Sequence, residues 1–169
     1  MELYHGSTAV VEQPILLPKQ RTLDFGSGFY TTMNLDQAHV FAQKVGDRRG
    51  SDKCYVNFYR VAEYETLKKE LSVLEFPEAN EEWLDFIFAN RADHYNGEQY
   101  DIIYGPVAND TIYRVITVYE SGIIGKEECI RQLKIRKLYN QMTFASERAL
   151  SYLKYIGCLE LAVGGNQNG

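Results

Sequence analysis

The residues of this chain best suited to chemistry lie in two short stretches near its beginning. Residues 3–7 run Leu-Tyr-His-Gly-Ser, and residues 24–32 run Asp-Phe-Gly-Ser-Gly-Phe-Tyr-Thr-Thr, so that Tyr30 follows His5 by 25 residues. An imidazole can donate or accept a hydrogen bond, a phenol ring can stack on a flat ligand, and glycine lets a ligand approach the backbone closely. The alternative is a glycine-rich turn that leads into a core strand, because one glycine pair is weak evidence for a site.

The residues around Tyr30 predict a turn, a strand and a capped helix in quick succession. Residues 29–32 are aromatic or β-branched, which favours a strand. Asn34 can cap the following helix while Gln37 reaches back, as in a capping box. An apolar stripe at helical spacing then follows, formed by Ala38, Phe41, Ala42 and Val45. Gly46 and Gly50 bracket residues 47–49, which predicts a mobile charged turn there.

The rest of the chain mixes short strands and helices without a regular βαβ alternation, which predicts the α+β class. Strands are predicted at residues 54–61, 71–76, 100–104, 140–144 and 158–163, and helices at 78–91, from 109 or 110 onward, 126–133 and 147–154. No linker divides the chain, so we expect one domain over residues 1–163. Residues 164–169 are glycine and polar, and we expect a disordered tail.

Composition excludes several classes of function. The formal net charge of −5 argues against a generic nucleic-acid binder, which needs a basic surface. The three cysteines are widely spaced and suggest neither a disulfide framework nor a zinc site, so we expect no metal. The sequence shows no signal peptide and no apolar stretch of the roughly 20 residues that cross a membrane. We therefore expect a cytoplasmic protein, with secretion by a signal-less route as the open alternative.

Four stretches in order give a more specific indication. Tyr-His-Gly-Ser at residues 4–7 and the glycine-rich strand ending at Thr32 are followed by Gly-Pro-Val-Ala-Asn-Asp at 105–110 and Asn-Gln-Met-Thr-Phe at 140–144. This set resembles the ADP-ribosyltransferase superfamily, in the His-Tyr clade that includes diphtheria-toxin-like enzymes and poly(ADP-ribose) polymerases, and within it a bacterial branch. The resemblance implies a split core of two small facing β-sheets with peripheral helices. NAD would bind in the cleft between the sheets, and the loop that joins the strand of His5 to the strand of Tyr30 would cover it as a lid.

The resemblance also implies roles for individual residues. His5 would hydrogen-bond a ribose hydroxyl of the adenosine half of NAD, and Gly6 would offer its backbone to the carboxamide. Tyr30 would stack on the nicotinamide ring. Gly28 and Asn109 are further candidates for contacts with NAD, and Ser7 is a weaker candidate for a hydroxyl contact.

The departure from the family lies at Gln141, where the superfamily usually has a glutamate. An amide can orient a ribose but carries no charge and cannot act as a general base. We therefore rank transfer of single ADP-ribose units above polymer formation. Asp110 is the first candidate for a carboxylate from elsewhere, followed by Glu147 and Asp101. Each has a structural alternative: a helix cap, a first-turn charge and a polar group at a strand end, respectively.

The sequence thus predicts an NAD-dependent mono-ADP-ribosyltransferase that modifies a macromolecule, most plausibly a protein, with NAD as substrate. By resemblance it is a toxin or effector with a small antitoxin-like partner. The alternatives are an NAD glycohydrolase, a catalytically inactive module that binds NAD or ADP-ribose, and a purely structural domain with His5 and Tyr30 in its core.

Overall fold

The computed structural model describes residues 1–17, 23–107, 110–134 and 139–164, without the side chains of residues 110 and 111. Within these ranges the protein is α+β, as predicted, with seven strands and six helices. The strands are β1 (Glu2–Ser7), β2 (Phe29–Thr32), β3 (Lys53–Arg60), β4 (Val73–Glu75), β5 (Ile102–Pro106), β6 (Asn140–Phe144) and β7 (Lys154–Ala162). The helices are α1 (Leu35–Arg49), α2 (Tyr64–Glu70), α3 (Glu81–Arg91), α4 (Asp110–Glu120), α5 (Lys126–Lys134) and α6 (Glu147–Leu150).

The strands form one sheet in the order β4-β5-β6-β2-β1-β3-β7. Neighbours are antiparallel except β4 and β5, which are parallel. β1 pairs with β3 at six positions and β2 with β6 at four, whereas β1 and β2 pair only at Tyr4 and Thr32. The sheet therefore has two well-paired parts that meet at a narrow place, which we call the β1/β2 junction.

The two faces of the sheet carry different cores. Since alternate residues of a strand point to opposite faces, Phe29 and Tyr30 belong to different ones. We call these faces the Phe29 face and the Tyr30 face. The Phe29 face packs around Leu3, Tyr59, Leu67, Met142 and Phe144. The Tyr30 face packs against α3, α4 and α5, around Trp83, Ile87, Ile103, Ile112 and Ile116. Strand β5 shows this alternation directly, because its adjacent residues Ile102 and Ile103 belong to the two different cores.

Local signals in the sequence account for the start of α1. The side chain of Asn34 accepts from the Gln37 N–H at 2.8 Å, as the predicted cap requires. The Gln37 side chain does not return to Asn34; it accepts from the hydroxyl of Thr32 at 2.7 Å. Ala38, Ala42 and Val45 are buried as predicted, but Phe41 is 46% exposed.

The expected charged turn at residues 47–49 is wrong, because α1 continues through Gly46 to Arg49. Gly46 packs directly against the side chain of Val163, so the missing Cβ makes room for a contact and does not break the helix. Gly50 then ends the helix in a left-handed conformation with φ of 61°.

The remaining differences concern ends of elements. β7 begins at Lys154, not at 158, α6 ends at Leu150, and α2 was not predicted. Five residues of the predicted tail, 165–169, lie outside the described ranges. None of the helices in those ranges is long and apolar enough to cross a membrane.

Candidate functional site

The β1/β2 junction is bridged by a side chain. His5 Nδ1 lies 2.7 Å from the backbone oxygen of Tyr30. Because a carbonyl oxygen only accepts, Nδ1 carries the proton and donates. In the neutral ring Nε2 is then an acceptor, which suits a hydroxyl group of a ligand. The structure thus brings together two residues that are 25 positions apart in sequence.

The surroundings of His5 favour the neutral ring. The imidazole is half-buried, and its centroid lies 4.3 Å from that of Phe29, with 33° between the planes. Burial lowers the pKa of His5 below its usual value of 6.5, and the hydrogen bond to Tyr30 opposes this shift only in part. At neutral pH the ring therefore offers an acceptor at Nε2 and no charge.

Gly6 presents its backbone to the same junction. The Val61 N–H donates to Met1 O at 3.0 Å, so hydrogen-bonded pairs of β1 and β3 fall on the odd residues of β1. The N–H and C=O of Gly6 therefore point toward β2, where the pairing has already ended at Tyr4. A Cβ on Gly6 would lie 2.6 Å from Ala38 O, so helix α1 also requires glycine here.

The phenol of Tyr30 is fixed by the glycine-rich turn. Its hydroxyl donates to Gly26 O at 2.6 Å and accepts from the Phe25 N–H at 3.1 Å. The ring packs on the Tyr30 face, whereas the imidazole of His5 packs against Phe29 on the other face. The imidazole therefore meets the backbone of Tyr30, and the two rings diverge from there.

Strand β6 places two buried polar side chains on the Tyr30 face. Gln141 lies opposite Thr32, and Thr143 lies opposite Tyr30. Gln141 is 6% exposed and Thr143 is fully buried. Within the described residues, neither Gln141 Nε2 nor Thr143 Oγ1 has a hydrogen-bond partner. Such groups are costly unless something fills the role of a partner, which makes this part of β6 a candidate ligand contact.

Ser7 and Gly28, two further candidates for contacts with NAD, have contacts of their own. The hydroxyl of Ser7 accepts from the Ala9 N–H at 3.3 Å. A Cβ on Gly28 would lie 2.5 Å from Thr143 Cγ2 and 2.9 Å from Phe144 O. The glycine thus allows β6 to approach the backbone.

The candidate carboxylates are placed as follows. Asn109 and the side chain of Asp110 lie outside the described part, although α4 begins at Asp110. Glu147 is exposed in the first turn of α6. Asp101 accepts from the hydroxyl of Ser146 at 2.5 Å and from Ser72 N at 3.0 Å. Burial alone would raise the pKa of Asp101, but these hydrogen bonds outweigh it and hold the pKa below its usual value.

The loop after β1 is held against β3. Asn57 is fully buried; its Oδ1 accepts from the Val11 N–H at 2.8 Å, and its Nδ2 donates to Ala9 O at 3.1 Å. The Tyr59 hydroxyl donates to Val11 O at 2.5 Å. The start of the expected lid is therefore anchored, while residues 18–22 lie outside the described ranges.

The charged side chain of Arg91 lies beside the glycine-rich turn. The Arg91 guanidinium lies 3.8 Å from Asp24, 3.6 Å from Glu120 and 4.4 Å from the ring centroid of Tyr113. Burial raises the pKa of Asp24, and the charge of Arg91 opposes that shift. Arg91 thereby ties the residue before Phe25 to α3.

Sequence reasoning did not single out Asn57, Arg91 or Thr143. Asn57 carries a recognisable signal, a polar residue inside a strand that is otherwise largely apolar. The other two carry none, because their roles depend on residues distant in sequence. The described residues contain no group of three or more His, Cys, Asp or Glu that could hold a metal ion.

The fold and the site together define an α+β domain with a polar junction in a single mixed sheet. The sequence model of the DUF3990 family, described as a protein of unknown function, matches residues 1–155, and the chain belongs to this family. No curated protein and no solved structure shows a significant match to the chain.

Proposed function

We propose that this protein is an NAD-dependent mono-ADP-ribosyltransferase that modifies a macromolecule, most plausibly a protein. The observation that carries the proposal is the β1/β2 junction, where His5 bridges to Tyr30 and the backbone of Gly6 faces the same gap. An acceptor nitrogen, the backbone of β1 beyond its pairing with β2, and an aromatic strand are the groups that would hold a ribose and a carboxamide. We further propose that the narrow junction is the split of an ADP-ribosyltransferase-like core.

In the proposed reaction the bond between ribose C1′ and the nicotinamide nitrogen breaks, and its electron pair leaves with neutral nicotinamide. Positive charge develops on the ribose as in glycoside hydrolysis. Gly6 would bind the carboxamide, and Nε2 of neutral His5 would accept from a ribose hydroxyl. Rate enhancement would come mainly from holding NAD in a reactive geometry.

Gln141 would limit the catalytic rate of this site. Its Nε2, which has no partner among the described residues, lies on the Tyr30 face, across the sheet from the imidazole of His5. It could therefore donate to a ribose oxygen only of a ligand that extends through the β1/β2 junction. An amide cannot remove a proton from an incoming nucleophile. We therefore propose single transfers and a slow rate; the antitoxin-like partner and a role as toxin remain predictions from the resemblance.

The test is incubation of the full chain with labelled NAD and a cell extract. Label attached to macromolecules indicates transfer, and free ADP-ribose indicates hydrolysis by the alternative glycohydrolase activity. His5→Gln should abolish either product, and His94→Gln, which changes an exposed histidine, should leave both unchanged. Equal product from both variants would remove the junction from the mechanism.

The absence of a carboxylate at Gln141 favours a second candidate, an inactive module that binds NAD or ADP-ribose. A thermal-shift titration separates the two proposals, since the module would be stabilised by NAD without turnover. No shift at millimolar NAD would contradict both.

A further inference from the structure

A cavity of about 230 Å³ lies beside the candidate site, where β6 ends. Its wall includes the Gly26-Ser27 turn, whose carbonyl holds the Tyr30 hydroxyl, and Ala145, which follows β6. Because a strand rises about 3.3 Å per residue, Ala145 lies roughly 7 Å beyond Thr143 and roughly 13 Å beyond Gln141. The cavity is therefore within reach of a second substrate that approaches the proposed NAD site.

Aromatic rings form much of this wall. The lining includes Phe25, Phe86, Tyr95 and Tyr100. The rings of Phe86 and Tyr95 have centroids 4.9 Å apart at 70°, and those of Phe86 and Phe25 are 6.0 Å apart at 67°. Faces of such rings attract flat groups and cations.

Several polar side chains of the wall already donate hydrogen bonds to the protein. Asn90 Nδ2 donates to Phe86 O at 2.9 Å, and the Tyr95 hydroxyl donates to Glu98 O at 2.8 Å. The Tyr100 hydroxyl donates to Glu98 Oε2 at 3.2 Å. Gln99 Nε2 donates to the neighbouring Gly97 O at 3.4 Å.

Acceptors remain on the same wall. The bond from Asn90 Nδ2 fixes the amide so that Oδ1 faces the turn at Gly26. Glu98 adds a carboxylate, Ser27 adds a hydroxyl that can act either way, and the described lining contains no lysine or arginine. A matching ligand would be flat, rich in donors and positively charged.

We propose that this cavity binds the guanidinium group of an arginine side chain, and that arginine in a protein is the acceptor. The second half of this proposal rests on the function proposed above. A guanidinium is planar, stacks on aromatic rings and presents five N–H donors, whereas a lysine ammonium is compact and strongly hydrated. A nucleic acid would bring phosphates to a cavity whose one formal charge, on Glu98, is negative.

The transfer balances with these two substrates alone. The C1′–N bond to nicotinamide breaks, and nicotinamide leaves with the electron pair. A guanidinium nitrogen loses one proton to solvent and forms the new C1′–N bond. The products are neutral nicotinamide, an ADP-ribosylated guanidinium and one proton.

The first test is binding of agmatine, a free alkylguanidinium, to the full chain without NAD. We expect saturable binding by calorimetry and none for a neutral citrulline amide. Loss of a charge-assisted hydrogen bond in Glu98→Gln should weaken binding on the order of tenfold. Glu82→Gln, which changes an exposed carboxylate on α3, should bind as the wild type does. Equal affinity of the Glu98 and Glu82 variants, or no saturation, would overturn the assignment of the cavity.

A second measurement separates this inference from the proposed function. With labelled NAD present, formation of ADP-ribosylagmatine that is lost in Glu98→Gln supports both. Stabilisation by NAD without agmatine binding overturns the arginine site alone. Agmatine binding that depends on Glu98, without any response to NAD, keeps the guanidinium site and overturns both the proposed function and the acceptor role.

Discussion

Replacing Gln141 by methionine should make the protein more stable. The side chain is 6% exposed, and its Nε2 has no partner among the described residues. A buried polar group left unpaired costs about 1–3 kcal/mol. Methionine has a similar length without the amide and adapts to irregular space. Gln141→Met should therefore raise the free energy of unfolding by about 1–2 kcal/mol, which is about 2–8 °C in Tm for a chain of this size.

The assay is urea unfolding followed by the fluorescence of Trp83, the single tryptophan, which is fully buried. Gln132→Met is the matched control, because the Gln132 amide donates to Glu128 Oε1 at 2.7 Å. That amide already has a partner at a half-exposed position, so the control should be neutral or slightly less stable, within about 0.5 kcal/mol.

The same substitution is expected to weaken NAD binding while it stabilises the fold. If Gln141 holds the ribose of NAD, the more stable Gln141→Met variant should lose stabilisation by NAD. A variant less stable than the wild type by about 1 kcal/mol or more would show that the amide has a partner in solution. That result would refute the use of Gln141 as a marker of the site.

Three further predictions concern the junction and its supports. Because the pKa of His5 is lowered in the folded protein, the unfolded chain binds the proton at a higher pH than the folded protein does. The free energy of unfolding should therefore decline as the pH falls below about 6.5. Urea unfolding at pH 8 and pH 5 should show a smaller decline for His5→Gln than for the wild type. Asn57→Ala should lower the free energy of unfolding by about 2–3 kcal/mol, because it leaves backbone groups of the loop between β1 and β2 without partners. A protease should also cleave that loop faster in the variant than in the wild type. Gly28→Ala should cost about 1–3 kcal/mol through its contact with Thr143, whereas Gly125→Ala, with nothing within 4 Å of its Cβ, should be nearly neutral in thermal unfolding.

Elements with strong local signals were predictable from the sequence. Residues 29–32 form the predicted strand β2 because aromatic and β-branched residues suit a pleated, covered surface. Residues 140–144 form the predicted strand β6. Asn34 and Ser146 cap helices because each side chain accepts a nearby N–H. The turn predicted at residues 47–49 is wrong because Gly46 lies inside α1, where it packs against Val163, a residue distant in sequence.

The candidate site was predictable only in its pairing of His5 with the strand of Tyr30. The sequence could not show that the imidazole binds the backbone oxygen and that the phenol turns to the other face, since both follow from strand register. It also could not show which polar groups on β6 lack partners. Whether Gln141 and Thr143 have hydrogen-bond partners depends on residues that are distant in sequence.

The glycine pair that first suggested a ligand site, Gly26 and Gly28, no longer supports one by itself. Gly26 has φ of 74°, which favours glycine, and a Cβ at Gly28 would meet β6, so local structure alone requires both residues. Packing does not explain why Gln141 Nε2 has no partner among the described residues, because an apolar residue would fill the same place at lower cost. The case for a ligand therefore depends on polar groups that have no partner in the described part of the chain. For that reason the Gln141→Met variant, which is expected to gain stability and lose binding, tests the proposed site more directly than a change in the glycine motif.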